Sequence, residues 1–145
     1  MHKVIFNPRT LRFTNNHRCP MECRLSNSTG PWKCQILLRF EKDESGNPLP
    51  ETVEENFGPV IFDRCELEPM LRRAQLAILN PSKPPSEFVD YDLDLVVPGH
   101  VPAGSSRQLQ FSSNVVCIDL SGPDVPDLSF IDLPGEFLAY IFTFS

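Results

Sequence analysis

Nowhere do the 145 residues hold an apolar run that could cross a bilayer, which takes roughly 20 residues as a helix. The apolar, aromatic stretch 137–144 is far too short for that. Residues 1–13 carry Lys3, Arg9 and Arg12 but lack an apolar core of secretory-signal length. Basic charge is equally scarce. Lys and Arg number 13 against 19 Asp and Glu, net charge is -6, and no dense Lys/Arg cluster exists. This excludes an electrostatic footprint for nucleic acid. A chain of this balance meets a metal-neutralised or well-caged anion rather than a bare phosphate backbone. Paired cysteine is missing too: Cys19, Cys23, Cys34, Cys65 and Cys117 make an odd set of five. Without a signal peptide, that count indicates reduced thiols in the cytoplasm. His17, Cys19 and Cys23 begin a zinc-like set, but no second Cys-x-x-Cys pair completes it. The cysteines are therefore expected as small buried hydrophobes on strands.

What the chain does have is a 41% hydrophobic content, enough for the core of one domain, and 15 prolines. Proline cannot donate to a helix or a central strand, so this excess predicts turn-rich connections. Residues 21–25 and 33–40 read as strands around the turn-forming segment 26–31. A polar stretch over 41–50 follows, with Ser45-Gly46-Asn47-Pro48 as its turn signal. A helix is predicted over 64–79, where Leu67, Met70, Leu71, Ala74, Ala77 and Ile78 share one face. Asp63 is its expected N-cap, with Glu66 three positions on, and Asn80-Pro81 stops it. Pro69 fits only if the helix begins late or bends there. A Pro-, Ser- and Asp-rich connection spans 81–108. Strands are then expected over 114–120 and 128–131, separated by Ser121-Gly122-Pro123. Their apolar character suits the centre of an α/β sheet.

The second of these strands runs into Asp132-Leu133-Pro134-Gly135. An Asp at the carboxyl end of a strand can hold a magnesium-bound water, because magnesium keeps much of its hydration shell. A Gly three residues on lets a bare amide approach a phosphate oxygen. By itself Asp-x-x-Gly is a common pattern in which Asp132 could equally cap a turn.

The order of segments around it is more specific. An apolar strand, the Gly122-Pro123 turn, Pro126, and then Leu128-Ser129-Phe130-Ile131-Asp132-Leu133-Pro134-Gly135 closely resemble the GTPase domain of the dynamin superfamily. Upstream, Arg18-Cys19-Pro20 followed by a strand is similar to the end of that family's first switch. The resemblance covers residues 18–135, with a divergent N-terminal segment at 1–17 and a divergent apolar tail at 136–145. It implies an α/β fold, a mixed β-sheet flanked by helices, that binds GTP with Mg and hydrolyses GTP to remodel or divide membranes. It further implies nucleotide-binding roles for Asp132, Leu133, Pro134, Gly135 and Arg18. Asp132 would hold Mg through water, and the Gly135 amide would meet the γ-phosphate. Expected partners are further copies of the chain or a full-length dynamin-like protein, with no nucleic acid. Expected localisation is cytoplasmic, and membrane or cytoskeletal association would come through domains not in this sequence.

Three departures from the family bear on activity. No Gly-x-x-x-x-Gly-Lys-(Ser/Thr) occurs in the chain, so the phosphate cradle, its Lys and its metal-binding hydroxyl are missing. The Thr that precedes the switch I Arg in the family is replaced by His17, and Thr14 lies three residues too early. The sequence also ends before the base-reading motif, and residues 136–145 do not resemble the second switch. The expectation is a partial G domain, lacking the P-loop segment and the C-terminal part, with weak or absent GTP binding and no hydrolysis. Two other readings stand beside it: a non-catalytic interaction protein that associates with full-length relatives, and an unrelated small α/β binding module.

Overall fold

The structure, a computed structural model, describes residues 19–95 and 112–131. Five strands, β1 (Met21–Asn27), β2 (Lys33–Lys42), β3 (Pro48–Ile61), β4 (Val115–Gly122) and β5 (Leu128–Ile131), form one sheet in the order β3-β2-β4-β1-β5. β1 and β4 run parallel, and every other neighbouring pair is antiparallel. One α-helix, α1 (Leu67–Leu79), completes a mixed α/β fold among the described residues.

Alternation decides which side of each strand faces the helix. In β1, Met21, Cys23 and Leu25 are buried while Glu22, Arg24 and Ser26 point the other way. β2 repeats this with Cys34, Ile36 and Leu38, and β4 adds Val116, Ile118 and Leu120. Against this apolar face α1 lays Leu67, Met70, Leu71, Ala74, Ala77 and Ile78, all of them buried, as its helical spacing predicts. In β4 the run from Val115 to Ile118 is buried on both faces, the mark of a central strand.

The helix begins later than the sequence suggests. Asp63 caps a short 3-10 turn (Arg64–Glu66), its carboxylate accepting from the Cys65 amide at 2.9 Å. The α-helix itself starts at Leu67, which places Pro69 in the first turn, where no intrahelical bond is lost. Glu66 provides no side-chain cap. At the other end, Asn80 leaves the helical conformation and its Nδ2 donates to the Leu76 carbonyl at 2.8 Å.

β3 is absent from the sequence-based expectation, which takes 41–50 as a polar turn and assigns no element to 51–62. It occupies the sheet edge, where a proline can turn its missing donor outwards. Asp43 organises the turn before it: its Oδ1 accepts from the Ser45 and Asn47 amides, both at 2.9 Å, and Gly46 adopts a positive φ of 83°. Only Phe57 and Ile61 of β3 are buried. They share the helix-side face, and the register shifts between their partners, Ile36 and Cys34. Gly58 lies in that bulge at φ 72°.

Two close fits tie β4 to its neighbours. The buried Asn114 side chain accepts from the amides of Glu41 (2.8 Å) and Lys42 (3.0 Å) and donates to the Lys42 carbonyl. At the opposite end Gly122 packs on Trp32, and a Cβ there would stand 3.0 Å from the Trp32 Cα. Gly122→Ala is therefore expected to destabilise the fold by about 1–3 kcal/mol through overpacking. The signature in urea unfolding is a lower midpoint at unchanged slope; an unchanged midpoint would show that this contact relaxes freely.

Candidate functional site

Asp132, Leu133, Pro134, Gly135 and Arg18 all lie outside the described residues. What the structure fixes is where the chain leads towards them. Glu22, near the start of β1, pairs with Ile131, the last residue of β5. Pro20 precedes β1, and its carbonyl accepts from the Val116 amide at 3.0 Å. The chain thus enters β1 at Cys19 and leaves β5 at Ile131 on adjacent strands, at one end of the sheet. Adjacent strands are spaced by roughly 4.8 Å.

The placement of β5 corrects one expectation. The two apolar strands flanking Gly122-Pro123 do not both lie at the centre of the sheet: β4 does, but β5 lies beyond β1. β4 is central, whereas β5 is the outermost strand among the described residues. Leu128 is 49% exposed and Ile131 62% exposed. An apolar sequence is common to both positions, so it could not separate a central strand from an outer one. β5 is held on its inner side by the ladder to β1. It is also tied there by Asn27, whose amide donates to Asp127 at 2.8 Å and whose Nδ2 donates to the Val125 carbonyl.

The sheet face away from α1 carries a charged constellation that the sequence reading missed. Arg24 Nε contacts Asp119 Oδ1, and Arg24 Nη2 binds Glu54 Oε1 at 2.9 Å. Glu54 Oε2 is 3.2 Å from Arg39 Nε, and Arg39 Nη2 meets Glu22 Oε2. The last contact is ionic rather than an aligned hydrogen bond, so Glu22 Oε2 is buried with Arg39 as its charge partner but with no directed donor. Five side chains from four strands are linked in the order Asp119, Arg24, Glu54, Arg39, Glu22. Cys117, fully buried, sits on this face beside Glu22 and Leu37 in register. The available signal was the charge alternation within β1, Glu22 and Arg24 interleaved with Met21, Cys23 and Leu25.

Glu54, Arg24 and Arg39 are each shifted towards the charged form. The hydrogen bond from Arg24, followed by the one from Arg39, holds the Glu54 carboxyl below the usual carboxylate range despite burial. The Glu54 hydrogen bond likewise raises Arg24. Burial works against the charge on Arg39, but the contact with Glu22 and its other neighbours outweighs it and the net direction is upward. A general acid or base needs a pKa near the working pH, and Glu54, Arg24 and Arg39 are shifted away from it, as members of a structural clamp are.

A cavity of about 330 Å³ opens beside it, lined by Arg24, Lys33, Gln35, Val60, Asp119 and Ser121. It lies at the carboxyl ends of β1 and β4, the opposite end of the sheet from Ile131. Its Gln35 amide is already committed to the carbonyls of Ile36 and Gly58.

Four of the five thiols are buried as expected, and Cys65 alone is exposed. Burial pushes Cys19, Cys23 and Cys34 up to about 12 and Cys117 up to about 11. Among the described residues, no three His, Cys, Asp or Glu side chains gather in a way that could hold a metal ion. Nor is any described helix long and apolar enough to cross a membrane. The chain matches no protein-family model, and no curated protein matches it.

Two pH dependences follow from these shifts. Glu54 is depressed in the folded protein, so its contribution is present above the ordinary carboxylate value of about 4.3 and fades as pH falls through the lower folded value. The urea midpoint is expected to fall on the acid side, and Glu54→Gln to flatten part of that fall. An identical acid profile in the variant would remove Glu54 from the account. The buried thiols act at the other end. Unfolded cysteines ionise above about pH 8.5 while the buried ones stay protonated, so the unfolded state holds fewer protons and stability declines as pH rises past that value. In the native protein one thiol, Cys65, should be open to a thiol reagent, slowed by the Asp63 carboxylate that raises its pKa, and the other four should react only on unfolding. Rapid reaction of more than one would contradict the burial.

Proposed function

We propose that this chain is part of a dynamin-type GTPase domain that retains the γ-phosphate-sensing corner and lacks the phosphate cradle. The observation that carries the reading is the segment Leu128-Ser129-Phe130-Ile131-Asp132-Leu133-Pro134-Gly135, whose first four residues form a strand and whose Asp follows that strand's last residue. The topology supports it, since the strand after Arg18 and the strand before Asp132 are neighbours that meet at one end of the sheet. In this reading Asp132 would bind Mg through water and the Gly135 amide would approach the γ-phosphate. Leu133 and Pro134 shape the loop between them, and Arg18 stands at the end of the first switch. With no Gly-x-x-x-x-Gly-Lys-(Ser/Thr) in the chain, most of the groups that grip the phosphates are missing. The chain then binds Mg-GTP weakly and does not hydrolyse it, because phosphoryl transfer depends on positioning and charge stabilisation that one corner cannot supply. A role in association with further copies or with full-length relatives fits a domain of this kind.

The separation of β4 from β5 favours a second reading, an unrelated α/β binding module in which Asp132 only caps a turn. One titration decides between them. Adding Mg-GTP analogue to isotopically labelled protein is expected to shift amide signals around Cys19 to Glu22 and Ile131, weakly, and Asp132→Ala should abolish the shifts. No shift at that end at millimolar ligand, or shifts unchanged by the substitution, would favour the second reading.

A further inference from the structure

Three neighbouring strands set six side chains in two rows on the sheet face away from α1. Register aligns Arg24, Asp119 and Gln35 across β1, β4 and β2, and two residues along it aligns Ser26, Ser121 and Lys33. All six line the cavity of about 330 Å³, and Val60 of β3 gives it an apolar flank. Neighbours within a row stand about 4.8 Å apart, and the two rows are separated by about 7 Å.

The bonds already made decide what each row still offers. Arg24 is committed to Asp119 and Glu54. Asp119 meets Arg24 through Oδ1, and its Oδ2 makes no bond among the described residues. Gln35 donates Nε2 to the Ile36 and Gly58 carbonyls, which leaves Oε1. The first row therefore presents two acceptors, one of them charged. The second row is its complement: two serine hydroxyls and the ammonium of Lys33, which is exposed and forms no salt bridge among the described residues.

We propose that this cavity binds the backbone end of a free α-amino acid with an apolar side chain. Its carboxylate meets Lys33 and the hydroxyls of Ser26 and Ser121. Its ammonium meets Asp119 Oδ2 and Gln35 Oε1, and its side chain lies towards Val60. The gap between the rows suits two opposite charges joined through one carbon, each in hydrogen-bond reach of its own row. A phosphate would meet Lys33 but would also stand against the Asp119 carboxylate, whereas a zwitterion satisfies both. The volume is at the small end of ligand pockets, in keeping with an amino acid. None of this rests on the nucleotide reading, since the cavity lies at the opposite end of the sheet from Ile131.

Titration of leucine into the isotopically labelled full chain, without nucleotide, tests the proposal. Amide signals of Ser26, Lys33, Gln35 and Ser121 are expected to shift and to saturate in the millimolar range. Leucinamide, which lacks the carboxylate, and N-acetylleucine, which lacks the ammonium, should each bind about tenfold more weakly, as the loss of a charge-assisted contact implies. Lys33→Gln should weaken leucine by a similar factor and leave leucinamide unchanged, at an unaltered urea midpoint. The comparison of the three ligands decides the matter even if that variant folds poorly. Three results would overturn the proposal: no shift at these amides at millimolar leucine, equal binding of the three ligands, or tighter binding of inorganic phosphate, which would make this an anion site. Failure of Mg-GTP to bind alters none of these outcomes.

Discussion

β4 is the strand on which everything else in the sheet depends. It is buried on both faces from Val115 to Ile118 and pairs on one side with β2 and on the other with β1. Without it the β2–β3 hairpin and the β1–β5 pair would be two unconnected ribbons, neither with enough apolar surface to close a core. Because β4 joins them, Val116, Ile118 and Leu120 bring the buried halves of β1 and β2 into one face for α1. Asn114 at one end and Gly122 at the other hold its register, the first by three hydrogen bonds to β2 and the second by backbone contact with Trp32.

The opposite face is solved differently. No described helix covers it, and its central thiol, Cys117, is sealed instead by charged side chains that pair with one another across strands. Most such pairs at a surface contribute little, but a linked set of five restricts each member and lets long side chains shield apolar atoms with their stems. The pairing keeps Glu22 and Arg39 largely out of water without leaving either charge alone.

Much of this architecture is legible in the residues, and the misses have identifiable causes. Strict alternation exposes β1 and β2, and the 3- and 4-residue spacing of Leu67 to Ile78 exposes α1. β3 escapes because only Phe57 and Ile61 of its fourteen residues are buried, so no apolar alternation marks it, and its prolines are tolerated only because it lies at an edge of the described sheet. β5 is legible as a strand but not as an edge, since pairing with β1 rather than β4 is a property of the assembled sheet. The ion network escapes for the same reason: its five members are scattered from Glu22 to Asp119, and no local pattern links them. The expected site residues, Arg18 and Asp132 to Gly135, can be followed only to Cys19 and Ile131, which emerge at the same end of the sheet.

The parallel pairing of β1 with β4 also has a temporal side. Arg24 and Asp119 are 95 residues apart in the chain, yet they face each other across adjacent strands. Contacts this distant are entropically slow to close, whereas the β2–β3 hairpin and α1 are local and can form early. During synthesis the hairpin and helix therefore emerge first and must wait, with the inner edges of β1 and β2 unpaired, until β4 leaves the ribosome. Of the described strands only β5 arrives after the central one, and the sheet remains open along its middle until β4 does.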